Sequence, residues 1–170
     1  MLADVISIEK VKRAVFYALL MAAAHMGQTL MFSRISIIGV RPMFIPVFVV
    51  AVGIFEGGLG GGIYGLFTGL FLDMAFAETT VLFTMLFPLI GFFSGMFSYF
   101  FINKRFFSYV CISLVFLVLT AVIQAAGLVF FWGADPLKVL SVAGMQVLLS
   151  VPFMPAAYFP VKKQAVVKDE

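Results

Sequence analysis

The feature that most limits the fold of this chain is a series of apolar runs long enough to cross a lipid bilayer. Residues 107–132 carry no charged side chain. An α-helix rises about 1.5 Å per residue, so roughly 20 apolar residues cross the hydrocarbon core of a bilayer. Hydrophobic residues make up 64% of the sequence, charged residues make up 11%, and the mean hydropathy is +1.17. These values exclude a water-soluble domain.

Charged residues and Pro or Gly breaks divide the chain into about six predicted transmembrane helices. The predicted helices cover residues 14–32, 43–55, 61–77, 81–102, 107–132 and 137–159. The second and third are short for a full crossing. We expect an all-α fold, a polytopic membrane bundle that forms a single transmembrane domain over residues 1–160, followed by a short polar cytoplasmic tail over residues 161–170.

The distribution of basic residues predicts the orientation of this bundle. Three of the 11 Lys and Arg residues, Arg34, Arg41 and Lys138, fall on one side of a six-helix arrangement, and the rest fall on the other side. Cytoplasmic loops carry an excess of Lys and Arg. We therefore expect a multi-pass protein of the bacterial cytoplasmic membrane with both termini in the cytoplasm.

A stripe of glycines is the most informative motif. Gly57, Gly61, Gly65 and Gly69 recur every four residues, and Asp73 takes the next position in the series. Small residues at this spacing let two helix backbones approach closely in lipid. The stripe predicts a face for helix packing inside the bundle or for docking of a partner. An intramembrane carboxylate is costly unless it is paired or hydrated, so Asp73 should face the interior or an interface.

Polar side chains within the apolar segments predict hydrogen bonds between helices. Asp73 is expected near the outer ends of the helices, on the side that also carries Arg41, and Gln28 lies in the first segment. We expect Arg41, Asp73 and Gln28 to form an intramembrane polar network. His25, Gln124 and Gln146 are expected to join helices in the same way.

A second face of small residues lies in the first segment. Ala14, Ala18 and Ala22 also recur every four residues. This spacing allows a neighbouring helix to pack closely, so the three alanines are an alternative docking face.

The sequence contains no recognisable catalytic, cofactor-binding or metal-binding motif. It has no Ser-His-Asp constellation and no phosphate-binding Gly-Lys-Ser/Thr loop. Its one cysteine, Cys111, lies in an apolar run, where packing is the expected role. The basic residues are scattered near helix ends, which argues against nucleic-acid binding. We expect a protein that is not an enzyme and that uses no cofactor.

The run GQTLMFSRISIIGVRPMFIPVFVVAVGIFEGGLGGGIYGLFTGLFLDM resembles the MreD family of bacterial rod-shape-determining membrane proteins. The matching features are Gln28-Thr29, Pro42, the Glu-Gly pair at Glu56, and the closing element from Gly69 to Asp73. The following LIGFFSGMFSYFF helix is similar to the family's glycine-containing segment before a basic turn. Met43 departs from the pattern, because members often carry Asp or Asn after the proline.

This resemblance implies a non-enzymatic component of the cell-elongation machinery. Such a protein binds the bitopic membrane protein MreC and helps organise lateral peptidoglycan synthesis. The implied partners also include MreB, RodA and a penicillin-binding transpeptidase, directly or through MreC, together with membrane lipid.

One alternative comes from a different functional class. In size and six-helix architecture the chain resembles the substrate-binding S component of an energy-coupling-factor vitamin transporter. The first helix of such an S component commonly bears small residues that dock the coupling subunit. Ala14, Ala18 and Ala22 would suit that role. A vitamin site, however, needs several convergent polar or aromatic groups, and the predicted outer loops offer few.

Overall fold

The computed structural model describes residues 8–34, 43–75, 81–101 and 106–166, and these residues are mainly α-helical. The predicted all-α fold is confirmed. The helices are α1 (Ile8–Arg34), α2 (Ile45–Ala75), α3 (Leu82–Phe101), α4 (Phe106–Trp132), α5 (Pro136–Ser150) and α6 (Met154–Val166). A single 3-10 turn, Val151–Phe153, joins α5 to α6.

Helix α2 is broken at one residue and folds back on itself. Gly57 has φ 86° and ψ 174°, which is outside the helical region. In a straight helix Gly53 and Gly61 would lie about 12 Å apart. Here a methyl group built on Gly61 would collide with the Cα atom of Gly53. The first arm, residues 45–56, therefore lies alongside the second arm, residues 58–75, with Gly57 at the turn.

The first arm of α2 is the centre of the bundle. Every residue from Met43 to Phe55 is buried. The arm is apolar on all sides, which is the pattern of a helix enclosed by other helices. Helix α2 as a whole packs against α1, α3, α4 and α6. Helices α3, α4 and α6 contact the first arm through Ser98, Tyr109 and Tyr158. The outward surfaces of the bundle carry most of the exposed apolar side chains.

Four helical stretches are long and apolar enough to cross a membrane in the part of the chain that the structure describes. They are Ile45–Ala75, Leu82–Tyr99, Phe106–Phe130 and the continuous run Pro136–Ala165. The predicted count of about six spanning helices is not confirmed. The predicted segment 43–55 falls on the first arm of α2 and the two residues before it, and the described part of the predicted segment 61–77 falls on the second arm. Gly57 alone makes the turn between the two arms, so no loop separates them into two helices.

The backbone at Gly57 generates the first prediction. Replacing Gly57 with Ala should destabilise the protein by about 1–3 kcal/mol, because this φ and ψ combination is essentially restricted to glycine. No atom lies within 4 Å of the added methyl group, so the expected cost is conformational and not steric. The measurement is the apparent thermal unfolding midpoint of the purified protein in detergent.

Gly127→Ala is the matched control, because its added methyl group also meets open space, but within the helical backbone of α4. Alanine is favoured over glycine in a helix, so the midpoint of this variant should be unchanged or higher. Equal behaviour of the two variants would contradict the assignment of the turn to Gly57.

Candidate functional site

Three glycines of the predicted stripe lie where the second arm of α2 meets α3. Methyl groups built on Gly65 and Gly69 would overlap the carbonyl oxygens of Phe87 and Phe83. A methyl group on Gly61 would lie 2.5 Å from the carbonyl oxygen of Gly91. The two backbones therefore touch along an antiparallel contact. We call this contact between Gly61, Gly65, Gly69 and α3 the glycine seam.

Small residues on α3 complete the glycine seam, and the sequence analysis missed them. Gly91 lies against Gly61, and Gly95 lies against the backbone of Gly57 and Gly58. Ser98 Oγ donates a hydrogen bond of 3.2 Å to the carbonyl oxygen of Ile54, which ties α3 to the first arm. Small residues at positions 91, 94, 95 and 98 are three or four residues apart and therefore lie on one face of α3. This spacing predicts the packing face from the sequence.

Asp73 lies at the end of the glycine seam and caps α3. Asp73 Oδ1 accepts a hydrogen bond of 3.2 Å from the Phe83 N–H, and Oδ2 accepts one of 2.7 Å from the Thr84 N–H. The Thr84 hydroxyl donates to Oδ2 at 2.6 Å. The first N–H groups of a helix have no partner within the helix and favour a negative charge. The carboxylate thus satisfies two of these donors and joins the end of α2 to the start of α3.

A second acidic side chain lies at the opposite end of the glycine seam. Glu56 precedes the Gly57 turn, and its Oε1 accepts a hydrogen bond of 2.6 Å from the Tyr17 hydroxyl. Arg13 Nη1 lies 3.9 Å from Glu56 Oε2, and both side chains are mostly buried. We call Arg13, Tyr17 and Glu56 the Glu56 cluster. The sequence analysis did not identify it, although a lone carboxylate between two short apolar segments is a signal for one.

The described residues leave the predicted polar network untested. Gln28 is buried on α1, and its Oε1 atom has no hydrogen-bond partner among the described residues. Arg41 lies outside the described residues, so the network of Arg41, Asp73 and Gln28 stays a prediction. His25 Nδ1 lies 3.0 Å from the carbonyl oxygen of Met21, and the ring packs edge-on against Phe71.

The alanine face of α1 points away from the bundle. Ala14, Ala18 and Ala22 are all exposed, as are Val15 and Leu19 beside them. The glycine seam, in contrast, is covered by α3. Among the described residues, the alanine face is therefore exposed, whereas Gly61, Gly65 and Gly69 of the glycine stripe are covered.

A small polar group surrounds the start of α2. Ser150 Oγ lies 3.1 Å from both the N–H and the carbonyl oxygen of Met43, and Gln124 Nε2 lies 2.8 Å from the Met43 sulfur. These contacts join α4 and α5 to the central arm. The adjacent cavity, which Leu117, Thr120, Ala121, Gln146 and Val147 also line, has a volume of about 10 Å³.

In the described part of the chain, no group of three or more His, Cys, Asp or Glu side chains is placed to hold a metal ion. The geometry instead consists of packing contacts, helix-end hydrogen bonds and one exposed small-residue face. These features suit association with another membrane helix.

Comparison with known proteins identifies one family. The family model described as rod shape-determining protein MreD matches residues 9–163, which is nearly the whole chain. No curated protein and no solved structure matches the chain at a significant level. The resemblance to transporter S components is not confirmed.

The glycine seam generates a second prediction. Gly65→Ala should destabilise the bundle by about 1–3 kcal/mol, because its methyl group meets the backbone of α3, which cannot move without shifting the helix. Gly144→Ala is the control, since the added methyl group on α5 has no atom within 4 Å. The readout is the apparent unfolding midpoint in detergent. If both variants lowered the midpoint equally, close backbone contact between Gly65 and α3 would be contradicted.

The Asp73 cap generates a third prediction. Asp73→Asn should lower stability by about 1–2 kcal/mol, because the amide keeps one acceptor but loses the charge that favours the α3 terminus. Asp135→Asn is the matched control. Asp135 also precedes a helix, but its side chain makes no capping hydrogen bond and is exposed beside Lys138.

The control should change stability by less than about 0.5 kcal/mol. Both variants are compared with the parent chain by detergent unfolding. An Asp73→Asn variant as stable as Asp135→Asn would contradict the capping role.

Proposed function

Because the chain belongs to the MreD family of rod shape-determining membrane proteins, we propose that it is a non-enzymatic component of the bacterial cell-elongation machinery. In this proposal it binds MreC and helps organise lateral peptidoglycan synthesis. MreB, RodA and a penicillin-binding transpeptidase are then partners, directly or through MreC. The family match over nearly the whole chain is the observation that carries this proposal.

The proposed MreC contact is the alanine face of α1. The glycine seam is occupied by α3, so it offers no surface to a partner. Ala14, Ala18 and Ala22 are exposed and spaced so that another helix can approach closely. MreC is expected to present a single transmembrane helix, and a helix of that kind suits a narrow face of small residues.

The proposed orientation places both termini in the cytoplasm of a bacterial cell. Arg13 contacts Glu56, and the neighbouring Phe55 ring packs against Tyr158, one turn before Lys162. The start of α1 and the end of α6 therefore lie at the same end of the bundle, together with their basic residues. An end rich in Lys and Arg is typical of the cytoplasmic side.

A vitamin-binding role has less support from the geometry. Pockets that enclose a small-molecule ligand have volumes of about 300–1,000 Å³. The cavity beside Met43 is about 10 Å³. This cavity is therefore too small to hold a vitamin.

The proposal is tested by co-purification with MreC. Ala18→Phe should reduce the MreC recovered with a tagged chain at least about fivefold, because a bulky ring prevents close approach of a helix. Ala156→Phe is the control, since Ala156 is exposed on α6, away from the alanine face. It should leave recovery unchanged.

Two results would overturn parts of the proposal. Equal MreC recovery with both variants would exclude the alanine face as the contact. Recovery of transporter ATPases without MreC, by the unsubstituted chain, would reject the elongation role and favour the S-component alternative.

A further inference from the structure

Helix α1 is attached to the bundle along one side. Among the α1 side chains that the structure describes, residues 12–30, only Ala24 and Gln28 are buried. Helix α1 packs mainly against α2. The first arm of α2, in contrast, is buried along its whole length. Helix α1 is therefore a peripheral helix held on one side.

The specific polar contacts between α1 and α2 lie at one end. The Tyr17 hydroxyl donates to Glu56 Oε1 at 2.6 Å, and Arg13 approaches Glu56 Oε2 at 3.9 Å. The Tyr17 ring also packs edge-on against Tyr64 of the second arm. A hydrogen bond between membrane helices contributes about 1 kcal/mol, and apolar surface alone gives little preference for protein over lipid.

The other end of the α1–α2 contact contains two buried polar atoms. Gln28 Oε1 and His25 Nε2 are both buried without a hydrogen-bond partner in the described part of the chain. An acceptor or donor that is buried without a partner lowers the stability of the packed arrangement. Among the described residues, the hydrogen bond and the ion pair between α1 and α2 both lie at the Glu56 end of the contact.

We propose that α1 moves relative to the bundle and that the Glu56 cluster holds it in the packed position. When Arg13 and Tyr17 release Glu56, the start of α1 parts from the Gly57 turn, and the remaining contacts do not hold it in place. Because α1 carries the alanine face, this movement changes how that face is presented. In assigning the movement a role in MreC binding, the inference rests on the proposed function; the movement itself does not.

The movement is measured in the chain alone, in lipid nanodiscs and without MreC. Spin labels are placed at Val15 on α1 and Met96 on α3, both of which are exposed. Cys111, which is exposed on α4, is replaced by Ser so that only the introduced cysteines react. Pulsed dipolar spectroscopy then gives the distribution of distances between the two labels.

Glu56→Gln should at least double the fraction of molecules at longer label separations, since it removes the charge that Arg13 and Tyr17 share. Tyr17→Phe should produce a smaller shift in the same direction. Tyr109→Phe is the matched control. It also removes one phenolic hydroxyl that bonds to α2, at 3.3 Å from the Val47 carbonyl oxygen, but this hydroxyl belongs to α4 and not to α1.

The control should keep the distribution of the unsubstituted protein. An unchanged distribution in both Glu56→Gln and Tyr17→Phe would overturn the proposal, as would equal broadening in Tyr109→Phe, which would indicate general loosening. If the Glu56→Gln variant does not insert into the membrane, the proposal is decided by comparing the label-distance distributions of Tyr17→Phe and Tyr109→Phe. Since no MreC is present, this outcome is independent of whether MreC binds the alanine face.

Discussion

Direct contact between helix backbones is the interaction on which the bundle depends, because lipid chains solvate apolar side chains about as well as a protein interior does. Association in a membrane must therefore come from close packing and from hydrogen bonds. Along the glycine seam the absence of side chains lets the second arm of α2 lie against the backbone of α3. The same close approach between Gly53 and Gly61 allows the two arms of α2 to lie side by side.

The polar chemistry of the bundle lies at the ends of this packed unit. Asp73 binds the first N–H groups of α3, and Glu56 binds side chains of α1 beside the Gly57 turn. Asp73 occupies the last turn of its own helix, where the helix dipole disfavours a negative charge. The positive end of the α3 dipole offsets this cost, because the carboxylate binds the first N–H groups of α3.

The composition and the motifs predicted an all-α fold and the MreD family, and both predictions are confirmed. They also placed a break at Glu56-Gly57-Gly58. They did not predict that one residue makes the turn, because helical periodicity does not reveal whether a glycine keeps or leaves the helical conformation. The partners of Asp73 and Glu56 were missed for another reason. They lie on different helices, and sequence spacing within one helix gives no information about such contacts.

The enclosed first arm of α2 has a consequence for biogenesis. A helix covered on every side has no open path into its position once its neighbours have assembled. Helix α2 precedes α3, α4 and α6 in the chain, so its hairpin can form before those helices close around it. The order of synthesis thus favours making the innermost element before the helices that enclose it.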